Sequence, residues 1–523
     1  MKKVTTALLA ACVATACVGC APAEPSERAA AAMHSGAPAE QSELTRVYLD
    51  TFDKELKKGE TFEIEAKVTG GAVTYRSLDQ NVAAVSAAGN TITVTGTGKG
   101  TTFVIAVDAS GREYNACRVT VQGETKPNPP TEPEEPDIPT PPKEENGNMT
   151  YNVYDLDTYV YPYWRGNTVY NETALFVGDT DATPLLYPAT KIHKVTSYDH
   201  KITYVEGQDY TYDKENNLLR RTANSRMPVT AVGDWYTSTP TPFPYIKEEG
   251  KYLFFSEGNT ISNKQVSITY EHEQNAAEQW ALPATRKEEF ARLHEKLKSK
   301  QNVQVLYYGD SVVYGANASG QVNCGLQAPA YTGMISEYMR KKFGVQVTEQ
   351  NAATGGTRSD QATQYFPNYV TGLNGDGTTY QGDAVTVTPD LIVLGYGLND
   401  SAQGRTPAQY VESIDTLVHK ARQKWPNAAI LVASPTLGNP EVFIYKDDDA
   451  QEKALVNWYN DTASQYGGVA VAQVTKMHSQ LYRKKGGRYR DITGNNVNHP
   501  NDTGTRLIAQ TCLYTIFGED YFK

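Results

Sequence analysis

The stretch Val303-Gln304-Val305-Leu306-Tyr307-Tyr308-Gly309-Asp310-Ser311-Val312 decides the fold of the C-terminal half of this 523-residue chain. Its first six residues are mostly β-branched or aromatic and read as a buried strand, which the following Gly-Asp-Ser ends. Runs of the same texture return at Asp390-Leu391-Ile392-Val393-Leu394-Gly395, Ala428-Ala429-Ile430-Leu431-Val432-Ala433 and Val469-Ala470-Val471-Ala472. Amphipathic stretches accompany them: 284–301 sets Phe290, Leu293 and Leu297 on one helical face, and 407–424 does the same with Tyr410, Ile414, Leu417, Val418 and Ala421. Such alternation predicts a three-layer α/β domain over 284–523, its mostly parallel sheet covered on both faces. Ligands of these sheets bind beyond the C-terminal strand ends.

Four short blocks fall at those ends or in the last loop. They are Gly309-Asp310-Ser311-Val312, Asn351-Ala352-Ala353-Thr354-Gly355-Gly356-Thr357, Gly397-Leu398-Asn399-Asp400 and Asn496-Val497-Asn498-His499-Pro500. Acyl transfer needs a nucleophile, a base and donors aimed at a developing oxyanion. Ser311, after a strand and before a helical turn, is the candidate nucleophile. His499, the one histidine of eight that combines a loop position, a following proline and its block, is the candidate base. Asp310 reads as structural, accepting backbone N–H bonds in its turn.

Blocks and order resemble the SGNH (GDSL-type) hydrolase family over about the last 235 residues. The resemblance implies a flavodoxin-like domain and an oxyanion hole made of the Ser311 and Gly356 backbone N–H groups and the Asn399 amide. Glycine at 356 lets the backbone approach a substrate closely, and an asparagine amide at 399 donates without titrating. The chain departs from the family at Asn496, where an Asp three residues before the base is usual. An asparagine orients an imidazole without offsetting its charge, and the same change in a protease triad lowers kcat about 10⁴-fold. Three alternatives stay open: a Ser–His dyad with Asn496 or a backbone carbonyl as orienter, another acid such as Asp491 or Asp502, or low activity.

Upstream the texture is all-β. Alternating segments between Gly-rich turns predict a small sandwich over 44–122, and Tyr75-Arg76-Ser77-Leu78-Asp79-Gln80-Asn81-Val82 with Gly98-Lys99-Gly100-Thr101 resembles bacterial Ig-like modules. Residues 123–148 are Pro- and Glu-rich and read as an extended linker. A second sandwich is expected over 149–283, placed like the jelly-roll of some two-domain carbohydrate esterases. Its Tyr159-Val160-Tyr161-Pro162-Tyr163-Trp164 reads as packing before sugar binding.

At the N-terminus Lys2 and Lys3 precede an apolar run too short to span a bilayer, the pattern of an export signal over 1–20. Cys17-Val18-Gly19-Cys20 resembles a bacterial lipoprotein box, with Cys20 as the lipidated residue and Cys17 as a second candidate; 21–43 reads as a tether. These features predict an exported, lipid-anchored envelope protein with its hydrolase domain outside the cytoplasm. The net charge of −11 argues against nucleic acid. No metal or cofactor pattern stands out; Asp447-Asp448-Asp449 reads as a solvated helix start, and a Cys324–Cys512 bridge stays open beside two buried thiols. The expected activity is a serine esterase that removes acetyl or other small acyl groups from carbohydrate through an acyl-Ser311 intermediate. A lipid-directed esterase, which the small polar loop Gly315-Ala316-Asn317-Ala318-Ser319-Gly320 disfavours, and a weakened carbohydrate binder are the alternatives.

Overall fold

Five parallel strands carry the C-terminal domain, in the spatial order Val347–Asn351, Val303–Gly309, Leu391–Gly395, Ala429–Ala433 and Val469–Ala472. This 2-1-3-4-5 order is flavodoxin-like, with its switch point beside the strand that leads to Ser311. The computed structural model describes residues 46–122 and 154–522, apart from 50, 52, 70, 110–112, 371, 374–378, 381–383 and 443–447. The export signal, Cys20, the tether and the Pro-rich linker lie outside the described residues.

Two-residue alternation along the strands sends side chains into two cores. Val305, Tyr307, Val393 and Leu431 enter one, which contains Met334 and Ile335 of helix Tyr331–Phe343, Met477 of Val474–Lys484 and Leu513 of Asp502–Phe517. Leu306, Tyr308, Ile392 and Val432 enter the other, beneath helices Pro407–Lys424 and Asp448–Asp461. The first of these begins with a capping box: Thr406 and Gln409 each accept the other's backbone N–H, and Pro407 occupies the first turn. Such a cap is worth on the order of 1 kcal/mol. The helix predicted over 284–301 is a 3₁₀ turn, Lys287–Phe290, followed by Ala291–Lys298, with Phe290, Leu293 and Leu297 buried.

The first all-β unit, 46–122, packs two four-stranded sheets over Ile64, Ile92 and Val94 from one and Val104 and Val119 from the other. The middle unit holds a four-stranded antiparallel sheet, Thr203–Tyr204, Ala189–Ser197, Gln265–His272 and Thr168–Leu175, and a smaller three-stranded one. It is no free-standing sandwich. Most of its buried apolar residues form one continuous core with the α/β domain, in which Trp164 meets Trp280 and Tyr514 at ring-centroid distances of 6.1 and 5.8 Å.

Polar groups seal the same seam. The guanidinium of Arg506, 1% exposed, donates to the carbonyls of Thr158, Tyr159 and Tyr170 and faces the rings of Tyr159 and Tyr163. Buried Lys485 bonds Glu172 and the Pro184 carbonyl, while Arg488 pairs with Asp181 at 2.6 Å and Asp491 at 3.0 Å. The aromatic stretch 159–164 is therefore largely spent on packing, with Tyr159, Tyr163 and Trp164 buried. Cys324 and Cys512 are both free and buried, so the bridge left open by the sequence is not formed. Among the described residues no helix is long and apolar enough to cross a membrane.

Candidate active site

Strand Val303–Gly309 delivers Ser311 to the first position of a short helical turn, Ser311–Tyr314. Asp310 caps that turn, its Oδ1 accepting the Val312 N–H at 2.9 Å. Gly309 is required by close approach: a Cβ there would lie 2.3 Å from the Gly395 carbonyl oxygen of the neighbouring strand. Burial pushes the Asp310 carboxyl up to about 7, against the pull of its backbone hydrogen bonds and of His499 nearby.

The ring of His499 faces Ser311, with Nε2 2.9 Å from Oγ. Both residues are nearly buried, 9% exposed for Ser311 and 8% for His499. Nδ1 meets Asn317 Oδ1 at 2.8 Å and Glu257 Oε2 at 3.2 Å. The Asn317 amide nitrogen donates to the carbonyls of Gly258 at 2.9 Å and Gly494 at 3.3 Å, which fixes its oxygen towards the ring. An acceptor at Nδ1 places the ring proton there and leaves the Nε2 lone pair for the Ser311 hydroxyl.

The His499 loop is built by Asn495, whose Oδ1 accepts the N–H groups of Val497, Asn498 and His499 at 2.9 to 3.0 Å. Gly494 N–H and the Thr493 hydroxyl both donate to the His499 carbonyl. The loop thus holds the imidazole from its backbone side.

Asn496 does not reach the ring. It adopts φ +68°, donates from Nδ2 to the Phe254 carbonyl at 2.9 Å and accepts from Asn439 Nδ2 at 3.2 Å. Short Asn side chains tolerate that left-handed backbone, and the conformation aims the amide at the middle unit instead. Asp491 and Asp502 are elsewhere too. Asp491 accepts from Leu175 N–H and the Thr183 hydroxyl in the buried seam, and Asp502 accepts from Ser319 N–H at 2.9 Å.

The second and third blocks interlock beside Ser311. Thr354 N–H donates to the Gly309 carbonyl at 2.9 Å, and a Cβ on Gly355 would sit 3.7 Å from that of Ser311. Gly356 has φ +74°, which an L side chain rarely adopts. Asn399 Nδ2 donates one hydrogen to the Thr357 carbonyl at 3.0 Å. Asp400 holds the next turn, accepting the Ser359 hydroxyl at 2.6 Å and its N–H at 3.0 Å. Gly355 is exposed and Gly356 and Asn399 are half-buried, so this donor loop opens to solvent.

Residues 307–507 match the GDSL-like Lipase/Acylhydrolase family. This stretch is a GDSL-like acylhydrolase domain. No curated protein matches the chain. Among solved structures, the chain is similar to a two-domain esterase active on acetylated mannans, co-crystallized with mannopentaose, at 18% identity and a TM-score of 0.30 over 43% of this chain and 52% of that one. The present chain therefore spans about half the length of that esterase. A member of the lipolytic G-D-S-L family from Veillonella parvula is 17% identical, with a TM-score of 0.29 over 40% of this chain and 96% of the other. An acetylxylan esterase from Geobacillus stearothermophilus is 14% identical, with a TM-score of 0.30 over 41% and 94%.

Sequence reading missed Glu257, Asn317, Asn439 and Asn495. Only Asn495 lay beside a block. The Asn317 loop is small and polar, and no spacing in the sequence points from it or from Glu257 to the histidine.

Proposed function

We propose that the acylhydrolase domain cleaves small acyl esters carried on carbohydrate, with Ser311 as nucleophile and His499 as base. The observation that carries the reading is the 2.9 Å contact between Ser311 Oγ and His499 Nε2, made by a ring whose other nitrogen is occupied by Asn317. As Oγ attacks the ester carbonyl, its proton passes to Nε2, a C–O bond forms, and the carbonyl electrons move to oxygen. The Ser311 and Gly356 N–H groups and the second hydrogen of the Asn399 amide receive that charge. Collapse returns the Nε2 proton to the departing sugar oxygen and leaves an acyl-serine. Water then repeats the sequence and frees the acid.

A hydroxylated leaving group suits the surroundings. Glu257, Gly355, Gly356 and Asn399, solvent-facing groups beside Ser311 and His499, are polar or lack side chains, and exposed Tyr314 of the Ser311 turn offers a ring on which a sugar can stack, which favours a sugar over a long hydrocarbon. In the same reading Cys20 anchors the exported chain to a membrane by a lipid; radiolabelled fatty acid should then be incorporated by the parent and not by Cys20→Ala. The function is tested by acetate release from acetylated polysaccharides, p-nitrophenyl esters of increasing chain length, and fluorophosphonate labelling. Acetate release and labelling, both lost in Ser311→Ala, support it. Preference for long acyl chains points to a lipid-directed esterase, and a folded but unlabelled protein points to a binder.

A further inference from the structure

The carboxylate nearest Nδ1 of His499 comes from the other structural unit. Glu257 belongs to the middle β-unit, 242 residues earlier in the chain, yet its Oε2 lies 3.2 Å from the ring nitrogen. Its Oε1 accepts from Asn495 Nδ2 at 3.1 Å, the same Asn495 that fixes the His499 backbone. The strap around Glu257 is held on both sides: Asn496 donates to the carbonyl of Phe254, and Asn317 to that of Gly258.

We propose that Glu257 is the positioning residue that supplies the carboxylate missing from position 496, so that the middle β-unit completes the active site. Asn496 then gains a reason. It gives up the family's acid and clamps the strap that brings another acid to the same ring nitrogen. The two acceptors at Nδ1 divide the work. Neutral Asn317, at the shorter distance, fixes the tautomer, and charged Glu257 offsets the imidazolium that forms when Nε2 takes the Ser311 proton.

Burial opposes ionisation of Glu257, but the His499 and Asn495 hydrogen bonds outweigh it and hold its carboxyl below the usual value, so it is charged at neutral pH. Asp310 is a second carboxylate facing His499, from the Ser311 side, and is common to parent and variants. The Glu257 side chain is 47% exposed, so solvent screens its effect. The expected loss is accordingly smaller than the roughly 10⁴-fold seen for a buried protease carboxylate.

The inference rests on the esterase reading and is tested with the full chain, using p-nitrophenyl acetate with Glu257→Gln and Glu257→Asp. Glu257→Gln is expected to lower kcat about 10- to 100-fold with KM within about twofold. Its acid limb moves to lower pH, because protonating the ring is harder without a nearby negative charge. Glu257→Asp restores part of the rate, and an unchanged Tm shows that both variants fold. A Glu257→Gln enzyme with parental kcat and an unmoved acid limb overturns the proposal. Failure of the esterase reading looks different, since the parent itself is then unlabelled by fluorophosphonate and Ser311→Ala changes nothing.

Discussion

Asn317 Oδ1 stands 2.8 Å from His499 Nδ1 because the nitrogen of the same amide is engaged by two carbonyls, those of Gly258 and Gly494. One side chain thereby selects the imidazole tautomer and ties the nucleophile's loop to both the histidine loop and the middle unit. Asn317→Ala removes all three links and leaves alanine at φ +64°. Stability should fall by about 1–3 kcal/mol, and kcat at least about tenfold through the freed ring. Steady-state kinetics and denaturant unfolding measure both. A parental kcat would mean that Asn317 does not set the tautomer.

Restoring the family's acid should not restore the family's triad. Asn496→Asp places a carboxylate against the Phe254 carbonyl, where an amide donated, and the φ +68° backbone still points it away from the ring. We expect no gain in kcat and a loss of about 1–3 kcal/mol in stability. An activity rise of tenfold or more would show that the side chain can swing to Nδ1.

These two asparagines mark the boundary of what the sequence shows. Ser311, Gly356, Asn399 and His499 lie in short blocks beside predicted strand ends or before a helix, where local pattern and position carry the information. The parallel sheet was readable for the same reason, because buried strands and amphipathic helices announce themselves within a few residues. Glu257 and Asn317 reach His499 across 242 and 182 residues, and that meeting depends on how one unit docks on another. Docking leaves no period in the sequence. Likewise the alternation in 149–283 shows that the strands have an apolar side, but not that Trp280 and Tyr514 share one core around Trp164.

That shared core predicts one cooperative unfolding transition for the region 154–522, and the buried seam gives a way to test it. Lys485 and Glu172 are both fully buried as a pair. Removing one partner leaves an uncompensated charge, so Lys485→Met should cost about 3–5 kcal/mol. Adding Glu172→Gln should recover part of that cost, since neither charge then remains. Calorimetry should show both units losing stability together in Lys485→Met. Two separated transitions, only one of them shifted, would contradict a common core.

Buried carboxyls and buried histidines pull the pH dependence of stability in opposite directions. Burial pushes Glu452 up to about 7, although Ser434 and the Lys476 N–H bond it, and it pushes Asp310 to about 7 as well. Unfolded, both titrate near 4. Between those values the folded chain holds protons that the unfolded chain has released, so stability falls as pH rises from about 4 to about 7, at up to about 1.4 kcal/mol per unit for each group. Asp181 acts oppositely. Despite burial, Arg488 and Arg490 hold it at about 2, and its contribution is lost as pH falls from about 4 to about 2. His200, His272 and His478, which burial holds at about 4, act in the opposite sense between pH 8 and pH 5, so the carboxyl contribution is read as the change in the Tm difference between those two pH values when one carboxyl is removed. Glu452→Gln should lower Tm at pH 5 relative to Tm at pH 8, because the amide cannot titrate while its oxygen still accepts from Lys476. An equal difference in parent and variant would mean that Glu452 is already ionised in the folded protein at pH 5.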